Sequence, residues 1–102
     1  MSAEPTHMDL ERLRGRRQEI LGCAASYGAR NVRVFGSAAR GDANATSDVD
    51  LLVEMEPGRS LLDLVGLWQD LEDLLSTHVD VLSEGGVSPH LRERIYAEAV
   101  PL

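Results

Sequence analysis

The hydrophobic residues of the chain repeat at helical spacing in three segments. The clearest segment is residues 60–75, where leucines form a wide apolar stripe behind a capping box that begins at Ser60. A more intermittent stripe covers residues 8–27, and a last one begins at Ser88-Pro89, which supply a cap and a first-turn proline. Each segment predicts a helix. The inward face of the last helix is predicted from its apolar residues, Leu91, Ile95 and Ala99.

Three short segments between these helices alternate polar residues with β-branched or aromatic ones, as strands do. They cover residues 30–35, 48–54 and 78–82, and a short helical turn at 38–40 follows the first. The order is helix, strand, short helix, strand, helix, strand, helix. This order predicts an α/β (α+β) domain, with a small central mixed three-strand sheet flanked by helices. The whole chain, residues 1–102, is expected to form this one domain.

The charge balance narrows the possible functions. The sequence has 17 Asp and Glu residues against 10 basic ones, all arginine, for a net charge of −7. Such a chain is a poor non-specific ligand for nucleic acid or anionic membrane, so we expect neither as a direct partner. Without lysine it cannot use Schiff-base chemistry or a P-loop. One cysteine and no long apolar run indicate a cytoplasmic protein.

Two aspartates lie two positions apart on the second predicted strand. Because a strand has a period of two, Asp48 and Asp50 leave the same face while Val49 and Leu51 face the core. Two adjacent carboxylates stay ionised at low cost if a cation lies between them, and oxygen ligands suit Mg²⁺ or Mn²⁺. The alternative is an ordinary solvated strand edge.

A third aspartate, Asp80, lies between two valines in the third predicted strand. If this strand neighbours the second, Asp80 joins Asp48 and Asp50 as a metal ligand. The alternative is that Asp80 pairs with an arginine such as Arg33.

The first predicted strand ends at Gly36-Ser37, where a helical turn begins. Glycine lets the backbone approach a phosphate closely, and free N–H groups with a serine hydroxyl bind phosphate oxygens. Arg40 lies one turn further on and could supply positive charge. The alternatives are an ordinary turn at Gly36-Ser37 and a structural salt bridge from Arg40 to Asp42 or Asp48.

Taken together, these motifs resemble a known signature. Gly36-Ser37, then Arg40-Gly41, a loop, and Ser47-Asp48-Val49-Asp50-Leu51 are similar to the minimal nucleotidyltransferases of the DNA polymerase β-like superfamily. The resemblance covers about residues 30–83, and Asp80 is where that family places its third acid.

The resemblance implies a mechanism and a set of site residues. Two Mg²⁺ ions (Mn²⁺ is possible) would bind the catalytic residues Asp48, Asp50 and Asp80, and ATP would be the substrate. The implied nucleotide-binding residues are Gly36, Ser37, Arg40 and Ser47.

The resemblance also implies a partner. Stand-alone minimal nucleotidyltransferases pair with HEPN-domain ribonuclease toxins, and act as antitoxins by transferring AMP from ATP to a toxin tyrosine. With about 20 residues after Asp80, the acceptor is expected on another protein. Two alternatives are a catalytically silent antitoxin that blocks its partner by docking, and a nucleotidyltransferase that modifies a small molecule such as an antibiotic.

Overall fold

A computed structural model describes residues 9–42 and 48–102 of the chain. No helix in these two ranges is long and apolar enough to cross a membrane. The helices are α1 (Leu10–Gly15), α2 (Arg17–Ser26), α3 (Gly36–Arg40), α4 (Leu61–Leu75) and α5 (Pro89–Glu98). The strands are β1 (Ala29–Phe35), β2 (Val49–Met55), β3 (Val79–Ser83) and β4 (Val100–Pro101), and a 3-10 turn at Glu84–Gly86 follows β3.

The strands form one mixed sheet in the order β3-β2-β1-β4. β2 and β3 are parallel, whereas β1 is antiparallel to both β2 and β4. The predicted α/β class and the mixed sheet flanked by helices are confirmed, but the prediction of three strands misses β4. This edge strand has two residues, one of them Pro101, and so is too short to show an alternating pattern.

The single helix predicted over residues 8–27 is divided in two at Arg16. The Arg16 backbone leaves helical geometry (φ −112°, ψ 21°) directly after Gly15. Its guanidinium donates a 2.7 Å hydrogen bond to the carbonyl oxygen of Leu74 and pairs with Glu19 at 2.9 Å. The break therefore lets Arg16 place its charge at the C-terminus of α4, where the helix dipole favours a cation.

The sheet buries its two faces against different helices. On one face, alternate residues of β2 join the main core with α1, α2 and α4; examples are Val49, Leu51, Leu13, Leu67 and Leu71. On the other face, Leu52 packs with Val87 and Ile95 in a smaller cluster under α5. Asp50 has the same strand phase as Leu52, so its carboxylate lies on the α5 side of the sheet.

The C-terminus of α4 contains backbone strain that a substitution can relieve. Ser76 caps this helix in the left-handed region, with φ 52° and ψ 39°. This conformation costs a non-glycine residue about 1–2 kcal/mol, which a glycine would not pay. The greater entropy of glycine in the unfolded chain offsets part of that gain in stability. We expect Ser76→Gly to raise the free energy of unfolding by about 0.5–1 kcal/mol in urea denaturation. Ser83→Gly, at φ −90°, is the control and should lower it; equal effects would contradict the strain.

Candidate active site

A cleft of about 400 Å³ opens where β1 ends, β2 begins and α5 crosses the sheet. Five residues that the sequence predicted separately line it together: Gly36, Ser37, Arg40, Asp48 and Asp50. The antiparallel pairing of β1 with β2 brings them together, because Phe35 at the end of β1 lies opposite Asp50 near the start of β2. The predicted phosphate-binding turn and the predicted acidic pair are thus neighbours in space.

The third predicted acid lies beside the second. Parallel pairing of β2 with β3 puts Asp80 in register with Asp50, and both side chains are half-buried. The alternative partner for Asp80 is otherwise engaged, because Arg33 forms an ion pair with Glu84 and lies 5.7 Å from the centre of the Tyr96 ring. Asp80 is next to Asp50 rather than in the wall of the cleft.

The environment of Asp50 disfavours its ionised form. Burial is the largest cause, and the nearby charges of Asp80 and Asp48 add to it, as does a hydrogen bond shared with Asp80. Together they raise the pKa of Asp50 to about 6, although the charge of Arg40 opposes the shift. Repulsion among clustered carboxylates is the electrostatic condition that a bound cation relieves.

The donor chemistry of this cluster fits Mg²⁺ or Mn²⁺. All three side chains offer carboxylate oxygens, the ligands that hard divalent cations prefer. In residues 9–42 and 48–102, no group of three or more His, Cys, Asp or Glu side chains is arranged as a metal-binding site. The assignment of Asp48, Asp50 and Asp80 as metal ligands and catalytic residues therefore remains a prediction.

Gly36 is required by the neighbouring carboxylate. Its φ is +73°, and a Cβ atom added there would lie 2.2 Å from Oδ2 of Asp50. The backbone at the start of α3 is therefore packed directly against the acidic cluster. At the other end of α3, the Ser37 carbonyl accepts hydrogen bonds from the N–H groups of Gly41 and Asp42, both at 3.0 Å, which closes the turn.

Arg40 lines the cleft but already has two carboxylate partners. Its guanidinium lies 3.2 Å from Asp42 and 2.5 Å from Glu98, and hydrogen bonds to Glu98 and Asp42 raise the pKa of Arg40. The structural salt bridge to Asp42, left open by the sequence, is present. Contact of Arg40 with nucleotide stays a prediction. Ser47, the remaining predicted nucleotide-binding residue, lies outside the described residues.

The sequence did not predict that α5 forms a wall of the cleft. This helix contributes Leu91, Arg94, Ile95 and Glu98. Ile95 and Ala99 pack inward as expected, but Leu91 is 50% exposed and its predicted inward position is wrong. Helical periodicity shows which face of α5 is apolar, whereas the opening between α5 and α3 depends on how the helix lies across the sheet.

Substitution of Gly36 tests its contact with Asp50. Gly41 is a matched control, because its φ is +84° and an added Cβ would meet no atom within 4 Å. We expect Gly36→Ala and Gly41→Ala each to cost about 1–2 kcal/mol of stability through left-handed strain. Only Gly36→Ala should also weaken Mn²⁺ binding, because its methyl group displaces the Asp50 carboxylate. Titration calorimetry that found equal Mn²⁺ affinity in both variants would contradict this contact.

When a chelator keeps metal away, the raised pKa of Asp50 predicts that this residue lowers the stability of the fold in a pH-dependent way. Between pH 4 and 6 folded Asp50 retains a proton that the unfolded chain has lost, so stability from this group falls as pH rises through that range. Asp50→Asn should therefore unfold at a higher temperature than wild type at pH 8, with the difference shrinking towards pH 4. Glu93→Gln, at an exposed position on α5, is the control. A pH-independent difference in unfolding temperature would show that ionisation of Asp50 does not destabilise the fold.

Comparison with known proteins gives relatives across most of the chain. A provisionally named protein adenylyltransferase of Methanocaldococcus jannaschii is 43% identical over 84 residues, covering 82% of this chain and 90% of its own. The protein adenylyltransferase MntA of Thermococcus cleftensis is 38% identical over 74 residues, covering 72% of this chain and 75% of its own.

Solved structures share the fold. One provisionally described as a minimal nucleotidyltransferase matches with a TM-score of 0.84 and 55% identity, covering 95% of this chain and 99% of that chain. A crystal structure of a toxin-antitoxin with AMP-PNP matches with a TM-score of 0.72 over 82% of this chain and 69% of that chain. At 20% identity, this match shows a shared fold alone. The model of the nucleotidyltransferase domain family matches residues 11–102. The chain therefore belongs to the nucleotidyltransferase domain family.

Proposed function

We propose that this protein is a Mg²⁺-dependent protein adenylyltransferase that transfers AMP from ATP to a tyrosine hydroxyl of a HEPN ribonuclease toxin, and so acts as its antitoxin. One observation carries the proposal. The acidic pair Asp48 and Asp50 shares a cleft with Gly36-Ser37 in a chain whose relatives are named protein adenylyltransferases. Because ATP is a cytoplasmic substrate, we place the reaction in the cytoplasm.

The residues of the cleft suit this transfer. The acceptor oxygen attacks the α-phosphorus of ATP, the bond to the β-phosphate breaks, and pyrophosphate leaves. Asp48 and Asp50, with Asp80, would hold two Mg²⁺ ions, which neutralise charge on the phosphates when bound. Ser37 and the Gly36 backbone bind phosphate oxygens. Asp80 would orient the attacking hydroxyl and accept its proton as the bond to the α-phosphorus forms.

The proposed toxin partner rests on three supports. One relative bears the name MntA, and a solved MntA-HpeT toxin-antitoxin shares the fold at 19% identity. The sequence motifs resemble minimal nucleotidyltransferases that pair with HEPN proteins. The net charge of −7 complements the basic surface that an RNA-cleaving partner requires.

Labelled ATP tests the transfer directly. The protein is incubated with Mg²⁺, α-labelled ATP and the product of the neighbouring gene. We expect label on that partner, at a tyrosine, and a loss of at least about a hundredfold in Asp48→Asn/Asp50→Asn because phosphate charge is no longer neutralised. Asp73→Asn, an exposed acid on α4, is the control and should label the partner normally.

Two other results would replace the proposal. Suppressed toxicity with a tight complex but no label would indicate an antitoxin that acts only by docking. Label on a soluble compound such as an aminoglycoside, and none on the partner, would indicate a small-molecule nucleotidyltransferase.

A further inference from the structure

The cleft contains two arginines, and their surroundings differ. Arg40 on α3 is held between Asp42 and Glu98, at 3.2 and 2.5 Å. Arg94 on α5 is exposed, and no hydrogen bond or ion pair joins it to another residue within the described part of the chain. Of the two, only Arg94 has a guanidinium whose donors no other residue in the described ranges occupies.

The availability of Arg94 follows from the Arg40–Glu98 pair. Glu98 lies four residues after Arg94 on α5, the spacing at which opposite charges on a helix usually pair. In this structure the Glu98 carboxylate instead binds Arg40 across the gap between α5 and α3. That ion pair links the two helices that border the cleft, and it takes away the partner that Arg94 would otherwise have on its own helix.

Arg94 and the acidic pair stand on different walls of the cleft. Asp48 directly precedes β2 and Asp50 is near its start, whereas Arg94 belongs to α5. A nucleoside triphosphate bound with its reacting phosphate at the carboxylates needs positive charge at the other end of its phosphate chain. The chain has no lysine to supply it. A guanidinium does so with paired donors that match phosphate oxygens.

We propose that Arg94 binds the terminal phosphates of the nucleotide, the part that leaves as pyrophosphate. The inference rests on the proposed function, and it adds a residue of α5 to the phosphate contacts predicted for Gly36 and Ser37. Arg40 then has a supporting role, because its pairing with Glu98 keeps Arg94 free.

Binding of two nucleotides tests this assignment. Arg92→Gln is a matched control, because Arg92 is an exposed arginine of the same helix whose charge acts on Glu84 and Tyr96, not on the cleft. Magnesium ATP and AMP are titrated into wild type, Arg94→Gln, Arg94→Lys and Arg92→Gln by NMR. We expect Arg94→Gln to weaken ATP roughly tenfold and AMP less than about twofold, with a smaller loss for Arg94→Lys. Melting temperatures check that all variants fold.

Three other binding results would each overturn the assignment of Arg94. If Arg94→Gln binds ATP as tightly as Arg92→Gln does, Arg94 is not a phosphate ligand, while ATP binding by wild type leaves the proposed function standing. Equal weakening of ATP and AMP would overturn the assignment to the terminal phosphates. Absence of ATP binding by the wild-type protein would overturn this inference and the proposed function together.

Discussion

The register of two parallel strands sets Asp50 beside Asp80, and the rest of the site depends on this pairing. Burial, with added repulsion from the half-buried Asp80 carboxylate on the adjacent strand, raises the pKa of Asp50 to about 6. The fold tolerates the repulsion because the opposite faces of β2 and β3 are anchored in the main core by residues such as Leu51 and Val81. Hydrophobic burial on one face thus holds like charges together on the other.

The position of α5 also shapes the site. Its inward side chain Ile95 packs with Leu52 on the same sheet face that carries Asp50. The Arg40–Glu98 ion pair then ties α5 to α3 across the cleft. As an exposed pair it contributes little to stability by itself. Its consequence is geometric, because it holds the Glu98 carboxylate at Arg40 and away from Arg94 on the same helix.

Much of this arrangement follows from local rules. The two-residue period of β2 predicts that Asp48 and Asp50 share a face, and the family motif links them to Gly36-Ser37. Local rules do not predict contacts between residues that are far apart in the sequence. The break at Arg16 depends on a carbonyl of α4, 58 residues away, and the place of Arg94 depends on the packing of α5. The two-residue β4 forms only because β1 already offers an open edge.

We propose that Asp48, Asp50 and Asp80, at the ends of β2 and β3 nearest the cleft, bind the divalent cation that accompanies a nucleotide under α5. The most direct measurement is a crystal structure with Mn²⁺ and a non-hydrolysable ATP analogue, with the metal located by anomalous scattering. We expect Mn²⁺ bound by Asp48 and Asp50, with the phosphate chain between Ser37 and Arg94. An anomalous peak away from these aspartates, or a nucleotide outside the cleft, would contradict it.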